Sequence, residues 1–556
     1  MTDQAIAPDT AVSGAEMPLA QRLPLSFAQQ QLWFLQQLAP DMTAYHVHVA
    51  NRLSGPLDIA VLRRALTHVL RRHEILRSTY HSDDGTPYQI IGPPCDAILE
   101  VVDHPGLTAT DRDAVVEREF AAVHARPFDL TTGPLNRFLV VRLADDDHAF
   151  AMYFHHIVID GWSMTIFNTE LAASYRAFLA GVEPDLPELD VRYRDFVAAQ
   201  QDWSARELPG ELDYWQQRLA ALPALELPAD RPRSRNAMQG TDAVVHDLDP
   251  ALVRDLRAFA SEHGASLFVL LTTAFNVVLA RYSGQYDIPV GVAMLGRTDP
   301  DLEYVIGIFV NMVVLRSDLS GDPTFAELFG RTDDAVLDLF DHQDAPFEKV
   351  VERVQPAREP GRNPLFQVAV QMLEAANSGG GLELGELGVD SLGIGLISAM
   401  FDLNLNFFEV ETGLRAHLSY ATELFDRWRI ENLLSHLEQV LRAGIADPSL
   451  PLSQLPLMSA EERDRVRQAG QGAAHVDPEE PVHVTVAAVA AAKPDTTAAV
   501  CKGIELSYRD LDHRAEQLAR HINATGVGHE QVVAIAMDRD LDTLIAMLAV
   551  WKAGAA

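Results

Sequence analysis

The residues from His148 to Ser163 constrain this chain more than any others among its 556. His148-Ala149-Phe150-Ala151-Met152-Tyr153 is nearly continuous apolar, as a strand in the interior of a sheet should be. Phe154-His155-His156-Ile157-Val158-Ile159-Asp160-Gly161-Trp162-Ser163 follows, with two adjacent histidines at the strand end and a carboxylate four residues after the second. Ser163 is placed to cap a helix, because Met164, Phe167, Leu171, Tyr175 and Phe178 recur at spacings of three and four. Side chains alternate faces along a strand, so His155 and His156 are expected to point opposite ways. One would look into a cleft while the other packs behind it, which is how a single general base is presented and held. Taken alone the run is open to a second reading, in which both histidines are satisfied structural residues.

The surrounding pattern is α/β. Strands are expected at His46–Leu53, Ile75–Tyr80, Tyr88–Ile91 and Arg137–Leu143, and helices after Asp58 (through Leu62, Leu66 and Leu70) and over Asp111–Val123. Gly181 to Leu189, rich in Pro and acidic residues, reads as a hinge or crossover. The second half repeats the style, with strands at Asp242–Leu248, Ile288–Met294 and Val305–Leu315 and helices at Ala251–His263 and Ser266–Tyr282. Periodicity alone supports sheets covered by helices.

Composition excludes several classes. The chain carries 44 Lys and Arg against 79 Asp and Glu, a net charge of −35, which argues against a nucleic-acid or anionic-membrane partner. Cys95 and Cys501 cannot make a disulfide framework or a cysteine zinc site. The first residues lack the basic-then-apolar pattern of a signal peptide, and no apolar run is long enough to span a bilayer, so a soluble, cytoplasmic protein is expected.

Further stretches stand in order along the chain: Leu25-Ser26-Phe27-Ala28-Gln29-Gln30-Gln31-Leu32-Trp33-Phe34-Leu35, Arg72-His73-Glu74-Ile75-Leu76-Arg77-Ser78-Thr79-Tyr80, Tyr193-Arg194-Asp195-Phe196, Asp213-Tyr214-Trp215, Ile306-Gly307-Ile308-Phe309-Val310-Asn311, His342-Gln343-Asp344-Ala345-Pro346-Phe347-Glu348 and Arg362-Asn363-Pro364-Leu365. With the histidine run they resemble the motif set of the condensation domains of nonribosomal peptide synthetases, a group related to chloramphenicol acetyltransferase. Gln31 departs from the pattern, standing where many members carry Arg. From Pro481 the chain resembles the beginning of an adenylation domain, with Leu506-Ser507-Tyr508-Arg509-Asp510-Leu511 and a final Trp551-Lys552-Ala553-Gly554-Ala555-Ala556. The phosphate loop and later nucleotide-binding motifs of that family are absent, so no adenylation activity is expected.

The resemblance implies two chloramphenicol acetyltransferase-like lobes forming a V-shaped pseudo-dimer, at 21–185 and 186–455. A disordered or docking tail at 1–20 would precede them, and a linker at 456–480 and an adenylation fragment at 481–556 would follow. It implies amide formation between a donor acyl or peptidyl thioester and the α-amine of an acceptor aminoacyl thioester. Both would ride on phosphopantetheine arms of carrier proteins, the donor carrier on a separate chain and the acceptor downstream; no bound metal is implied. His156 would orient the amine and take its proton, as base or as positioning group, with His155 packed behind. Asp160 would be structural, paired with Arg297 from the other lobe. Gly161 would leave room for substrate and offer its N–H to the developing oxyanion. Trp162 and Ser163 would face the tunnel, while Asn311 would either line it or brace the second-lobe strand.

Intact histidines disfavour heterocyclisation, whose relatives carry aspartates there, and the opening signature leans toward an L-configured donor. Two other functions stay open: acyl transfer to a free amine or alcohol, and a catalytically silent recruitment module. Glu386-Leu387-Gly388-Val389-Asp390-Ser391-Leu392 looks like the serine site of a carrier domain. The Gly-rich stretch 378–381 before it and the strand-like Phe401-Asp402-Leu403-Asn404-Leu405 after it favour an ordinary loop or strand instead.

Overall fold

The computed structural model describes residues 22–233, 240–357, 359, 361–373, 382–395, 401–410, 413–472 and 480–556. The expected tail at 1–20, the Gly-rich stretch 378–381 and most of the expected linker after Gly470 lie outside them. The chain divides into two compact units between Ser459 and Ala460.

The first unit is built on two mixed sheets, each with its own apolar core. In the five-stranded sheet the order is Gly388–Gly395, His46–Ser54, Asp147–His155, Asn136–Ala144 and Leu99–Asp103. The strand Asp147–His155 is central, and all of it after Asp147 is buried. It pairs antiparallel with both neighbours, in a register that sets His155 opposite His46 and Phe154 opposite Val47. The helix Gly161–Leu179 covers one face: the Phe167 ring meets Phe154 edge-on at 5.1 Å and stacks on Phe138 at 6.1 Å. Each such ring contributes about 1.5–3 kcal/mol by leaving water, which fixes the strand-to-helix turn between them.

The six-stranded sheet runs in the order Asn311–Asp318, Asp287–Met294, Val368–Leu373, Leu403–Val410, Gly413–Ala421 and Thr241–Asp247. Its core is crossed by the helix Leu267–Ser283, buried from Val269 to Ala280. Among the described residues no single helix is long and apolar enough to cross a membrane.

Four expectations are corrected. The strand does not continue through both histidines: it ends at His155, and His156–Val158 form a 3-10 turn. Asp160, not Ser163, caps the helix, which begins at Gly161 and places Ser163 at its third position. Glu74–Arg77 is likewise a 3-10 turn, so the strand expected from Ile75 starts only at Ser78. Of Val305–Leu315, only the residues from Asn311 onward are strand. Leu302, Val305, Ile306, Ile308 and Phe309 leave the second sheet and are buried in the core of the first. Their backbone is satisfied by the side chains of Asp160, Tyr193 and Arg297 rather than by a ladder.

The two sheets are also not separated at residue 185. Gly388–Gly395 pairs with His46–Ser54 in the first sheet, so the second half of the chain returns to complete the first lobe. Ser391 lies opposite Asn51 in that ladder, the strand setting favoured above over a carrier-domain helix start.

Within the expected linker at 456–480, Ala460–Gly470 forms a helix with no buried residue. The second unit joins a hairpin, Thr497–Cys501 with Ile504–Ser507, to the helices Val482–Ala492, Tyr508–Ala524 and Leu541–Lys552. Leu506, Leu511, Ala515, Ile545 and Leu548 make its small core.

Candidate active site

The histidine pair is shaped by the turn that ends its strand. His155 is fully buried, and its Nδ1 accepts the N–H of Ile157 at 3.1 Å, which bends the chain out of the sheet. That bond fixes the tautomer: Nδ1 carries no proton, and Nε2–H faces Gln36 Oε1 at 3.4 Å. Burial, reinforced by His46 and His156, pushes the His155 imidazole down to about 3, so it stays neutral.

His156 differs at each point. Its backbone N–H donates to Tyr45 O at 2.9 Å, its carbonyl accepts the N–H of Ile159, and its side chain is half-buried. Nδ1 is sealed from solvent without a partner. Nε2 is not among the sealed, unpartnered atoms and is the nitrogen left to meet a ligand. Burial lowers the His156 pKa while the Asp160 charge opposes the shift, so at pH 7 the ring is a neutral proton acceptor.

Asp160 and Ser163 tie the two lobes together. Asp160 Oδ1 accepts the Ser163 N–H at 2.8 Å, and Oδ2 accepts the Phe309 N–H at 2.9 Å. Ser163 Oγ accepts the Gly307 N–H at 3.0 Å and donates to Gly307 O at 2.8 Å. Tyr193 OH donates to Ile308 O at 2.7 Å, and Trp162 Nε1 donates to Glu303 O at 3.1 Å. Arg297 closes the arrangement. Its guanidinium lies 3.6 Å from Asp160, donates to Ser163 Oγ at 2.7 Å and to Val305 O at 2.8 Å, and stacks over Phe309 at 3.9 Å.

Two glycines make this latch possible. A Cβ on Gly307 would sit 2.1 Å from the Tyr193 ring. Gly296, at φ +63°, would place one 2.1 Å from Phe309 O. Gly161 is the opposite case: a Cβ there meets nothing within 4 Å, so the helix N-terminus beside His156 is open to an approaching group.

A cavity of about 920 Å³ lies between the lobes. The helix Phe27–Leu38 and Tyr45 form one wall, and the segments around Phe347–Gln355 and Arg362–Gln367 form the other. Tyr45 connects it to the site, since its carbonyl holds the His156 backbone. His156, Gly161, Trp162, Ser163 and Asn311 are not on this cavity's wall. Asn311 is occupied as a brace: Nδ2 donates to Gln343 O and Ala345 O at 2.8 and 2.7 Å, and Oδ1 accepts the Phe347 N–H at 3.1 Å.

Tyr45, Gln36 and Glu348 were not singled out from the sequence. Tyr193 and Glu348 stood within motifs already noted, and a buried phenol or carboxyl there needs a partner. Tyr45 and Gln36 carry no such signal, because their neighbours are distant in the chain.

Known proteins share this arrangement of lobes. Residues 19–466 match the family model described as Condensation domain. The chain belongs to the condensation domains of nonribosomal peptide synthetases. Residues 486–556 match the start of a second family, AMP-binding enzyme, and form only a short fragment of it. Chondramide synthase cmdD of Chondromyces crocatus is 38% identical over 97% of this chain, which spans 14% of that protein. Phosphinothricin tripeptide synthetase PhsB of Streptomyces viridochromogenes is 36% identical over 96% of the chain, which spans 45% of it. This condensation domain thus spans less than half the length of the synthetases it matches. Among solved structures, the X-domain from teicoplanin biosynthesis superposes with a TM-score of 0.70 at 30% identity, over 81% of this chain and all of that one. A four-domain nonribosomal peptide synthetase, AB3403, shares the fold with a TM-score of 0.80 at 22% identity, over 98% of this chain and 42% of that one.

Proposed function

We propose that this condensation domain forms an amide between a donor acyl or peptidyl thioester and the α-amine of an acceptor aminoacyl thioester. What supports the reading is the His156 ring: half-buried, shifted by burial toward its neutral form, and set on a turn whose backbone is held by Tyr45, a residue of the inter-lobe cavity wall. Both substrates would be tethered through phosphopantetheine to partner carrier proteins in the cytoplasm. Phosphopantetheine enters as a substrate arm and not as a group resident in this chain.

An α-ammonium has a pKa near 8, so a useful fraction of the acceptor is already neutral at pH 7. The barrier is then chiefly one of placement. Well-oriented reactants reach effective molarities of about 10⁵ M or more, worth roughly 7 kcal/mol, against the ~10²–10⁴-fold usual for general acid–base catalysis. His156 Nε2 accepts a hydrogen bond from the amine, orients its lone pair toward the thioester carbonyl and takes a proton as the tetrahedral intermediate forms. The open N–H at Gly161 is the candidate donor to the oxyanion. His155 fixes the turn, and Asp160 with Arg297 fixes the second lobe against it. On this assignment the latch residues act on stability and geometry, not on the proton.

A second reading has its own support. The X-domain that this chain resembles has also been solved as a complex with OxyB, so the same fold can serve as a docking platform. One experiment separates the two. Donor- and acceptor-loaded carriers are mixed with wild-type protein and with His156→Ala, and dipeptidyl product is quantified. Product formed by the wild type and lost in the variant supports amide synthesis. Product from a soluble amine or alcohol alone indicates acyl transfer to a free nucleophile, and no transfer under any loading indicates recruitment.

A further inference from the structure

One carboxyl on the wall of the inter-lobe cavity has no counter-ion. Of the charged residues on its wall, Lys349 pairs with Glu352 at 2.9 Å, and Arg362 pairs with Glu359 at 2.9 Å and with Glu226 at 2.8 Å. Glu348 has no ion-pair partner among the described residues, although it lines the same cavity. It stands at the start of the short helix Phe347–Val354 and faces Tyr45, close enough for its charge to help burial push the Tyr45 phenol up to about 12. Tyr45 is the residue whose carbonyl holds His156. A half-buried carboxylate without a cation is costly to keep, and a ligand that supplies one recovers that cost.

Building on the catalytic reading above, we propose that Glu348 receives the α-ammonium of the acceptor aminoacyl thioester and holds it in the inter-lobe cavity, across from the Tyr45 that anchors the His156 turn. His156 is poorly suited to that task, because its surroundings disfavour positive charge. Glu348 is suited to it: burial raises its carboxyl to about 7, so a neighbouring ammonium favours the ionised form. Glu348 is thereby the residue that distinguishes an amine-bearing acceptor from an acyl group of the same size.

The test uses two non-hydrolysable probes, glycyl- and propionyl-aminopantetheine, which match in heavy atoms and differ in the amine. Their binding to the full chain at pH 7 is measured by calorimetry for wild type, Glu348→Gln and Tyr45→Phe. Wild type is expected to prefer the glycyl probe by at least ~10-fold, the scale of one partly buried charge pair. Glu348→Gln is expected to bring the ratio close to one while leaving propionyl affinity unchanged, and Tyr45→Phe to retain most of the preference. An unchanged ratio in Glu348→Gln, or an equal loss for both probes, overturns the proposal. A 6-aminohexanoyl probe bound more tightly than the glycyl one also overturns it, by showing a receptor for a basic side chain. Amide synthesis by the wild type is followed in parallel. If no amide forms, the catalytic reading fails, and the binding ratio still decides the role of Glu348.

Discussion

Replacing Asp160 with Asn removes one charge and turns one acceptor into a donor. The change falls on a carboxylate only 3% exposed. If the amide oxygen keeps the Ser163 N–H, its NH₂ group must face the Phe309 N–H that Oδ2 now accepts at 2.9 Å. Loss of a hydrogen bond to a charged acceptor is worth about 1.5–3 kcal/mol. The Arg297 guanidinium, 3.6 Å away and 5% exposed, then stays buried beside a neutral amide. Stranding a buried partner costs about 3–5 kcal/mol when the pair is its main compensation. Arg297 retains Ser163 Oγ and two loop carbonyls, so its own share is placed near the lower end, about 3 kcal/mol, and the combined loss at roughly 4–5 kcal/mol. Thermal unfolding should therefore begin several degrees lower, using about 2–4 °C per kcal/mol for domains of 150–250 residues. Amide synthesis should fall with it, and Asp160→Asn with Arg297→Met should be less than additive, since both act on one latch. Full thermal stability combined with lost activity in Asp160→Asn would refute the reasoning, because it would put the carboxylate in the chemistry.

His156→Ala should lower single-turnover amide formation by about 10²–10⁴-fold with little change in melting temperature, as expected of a half-buried proton acceptor whose Nδ1 has no partner to lose. His155→Ala should do the reverse in denaturant titrations, losing about 1–3 kcal/mol because the Ile157 N–H is left buried without its acceptor. Gly307→Ala should cost about 1–3 kcal/mol by forcing the Tyr193 ring away, and Tyr193→Ala in the same chain should recover part of that strain. Acid should destabilise the first lobe through its buried imidazoles. His155 is held at about 3 and His46 at about 4, the latter by burial, with His124, Arg137 and His48 disfavouring its charge. The unfolded chain binds these protons near pH 6.5 and the folded one does not, so stability is full above that pH and is lost on the way down. Near pH 5 the loss is about 2 kcal/mol for each ring, which urea midpoints at pH 7 and pH 5 would register and His46→Phe would reduce.

The sequence made some of this legible and hid the rest for physical reasons. The apolar run to Phe154 and the spacing of Phe167, Leu171 and Tyr175 specify a buried strand and its covering helix, because burial imposes those periods. Asp58 as a helix cap was equally readable, since its carboxylate meets the N–H groups of Ala60 and Val61 within its own turn. Non-local satisfaction of the backbone was not readable. Ile306, Ile308 and Phe309 alternate like a strand, yet their segment is held by Asp160, Ser163 and Tyr193, which lie 115 to 149 residues away. Ser163 looked like a cap for the same reason. It is a good cap residue in isolation, but Asp160 precedes the first helical residue and takes the cap, freeing the hydroxyl to reach Gly307.

The placement of the latch bears on how substrates reach the site. Residues 302–309 belong covalently to the second half of the chain but pack in the first core, where Ile306, Ile308 and Phe309 are 1%, 4% and 4% exposed. Withdrawing those three side chains alone would cost roughly 5–9 kcal/mol, before the Asp160 and Ser163 hydrogen bonds are counted. The strand Gly388–Gly395 adds a second crossing, with its own ladder to His46–Ser54. Opening the lobes along this side would therefore break core structure. The opposite wall is less committed: Phe27, Gln31 and Phe34 face Phe347, Glu348 and Asn363 across open volume. Motion that admits a tethered acyl group is cheapest there. A hinge secured at the latch and loose at the cavity leaves the His156 turn fixed while the cavity changes width, which is what catalysis by placement requires.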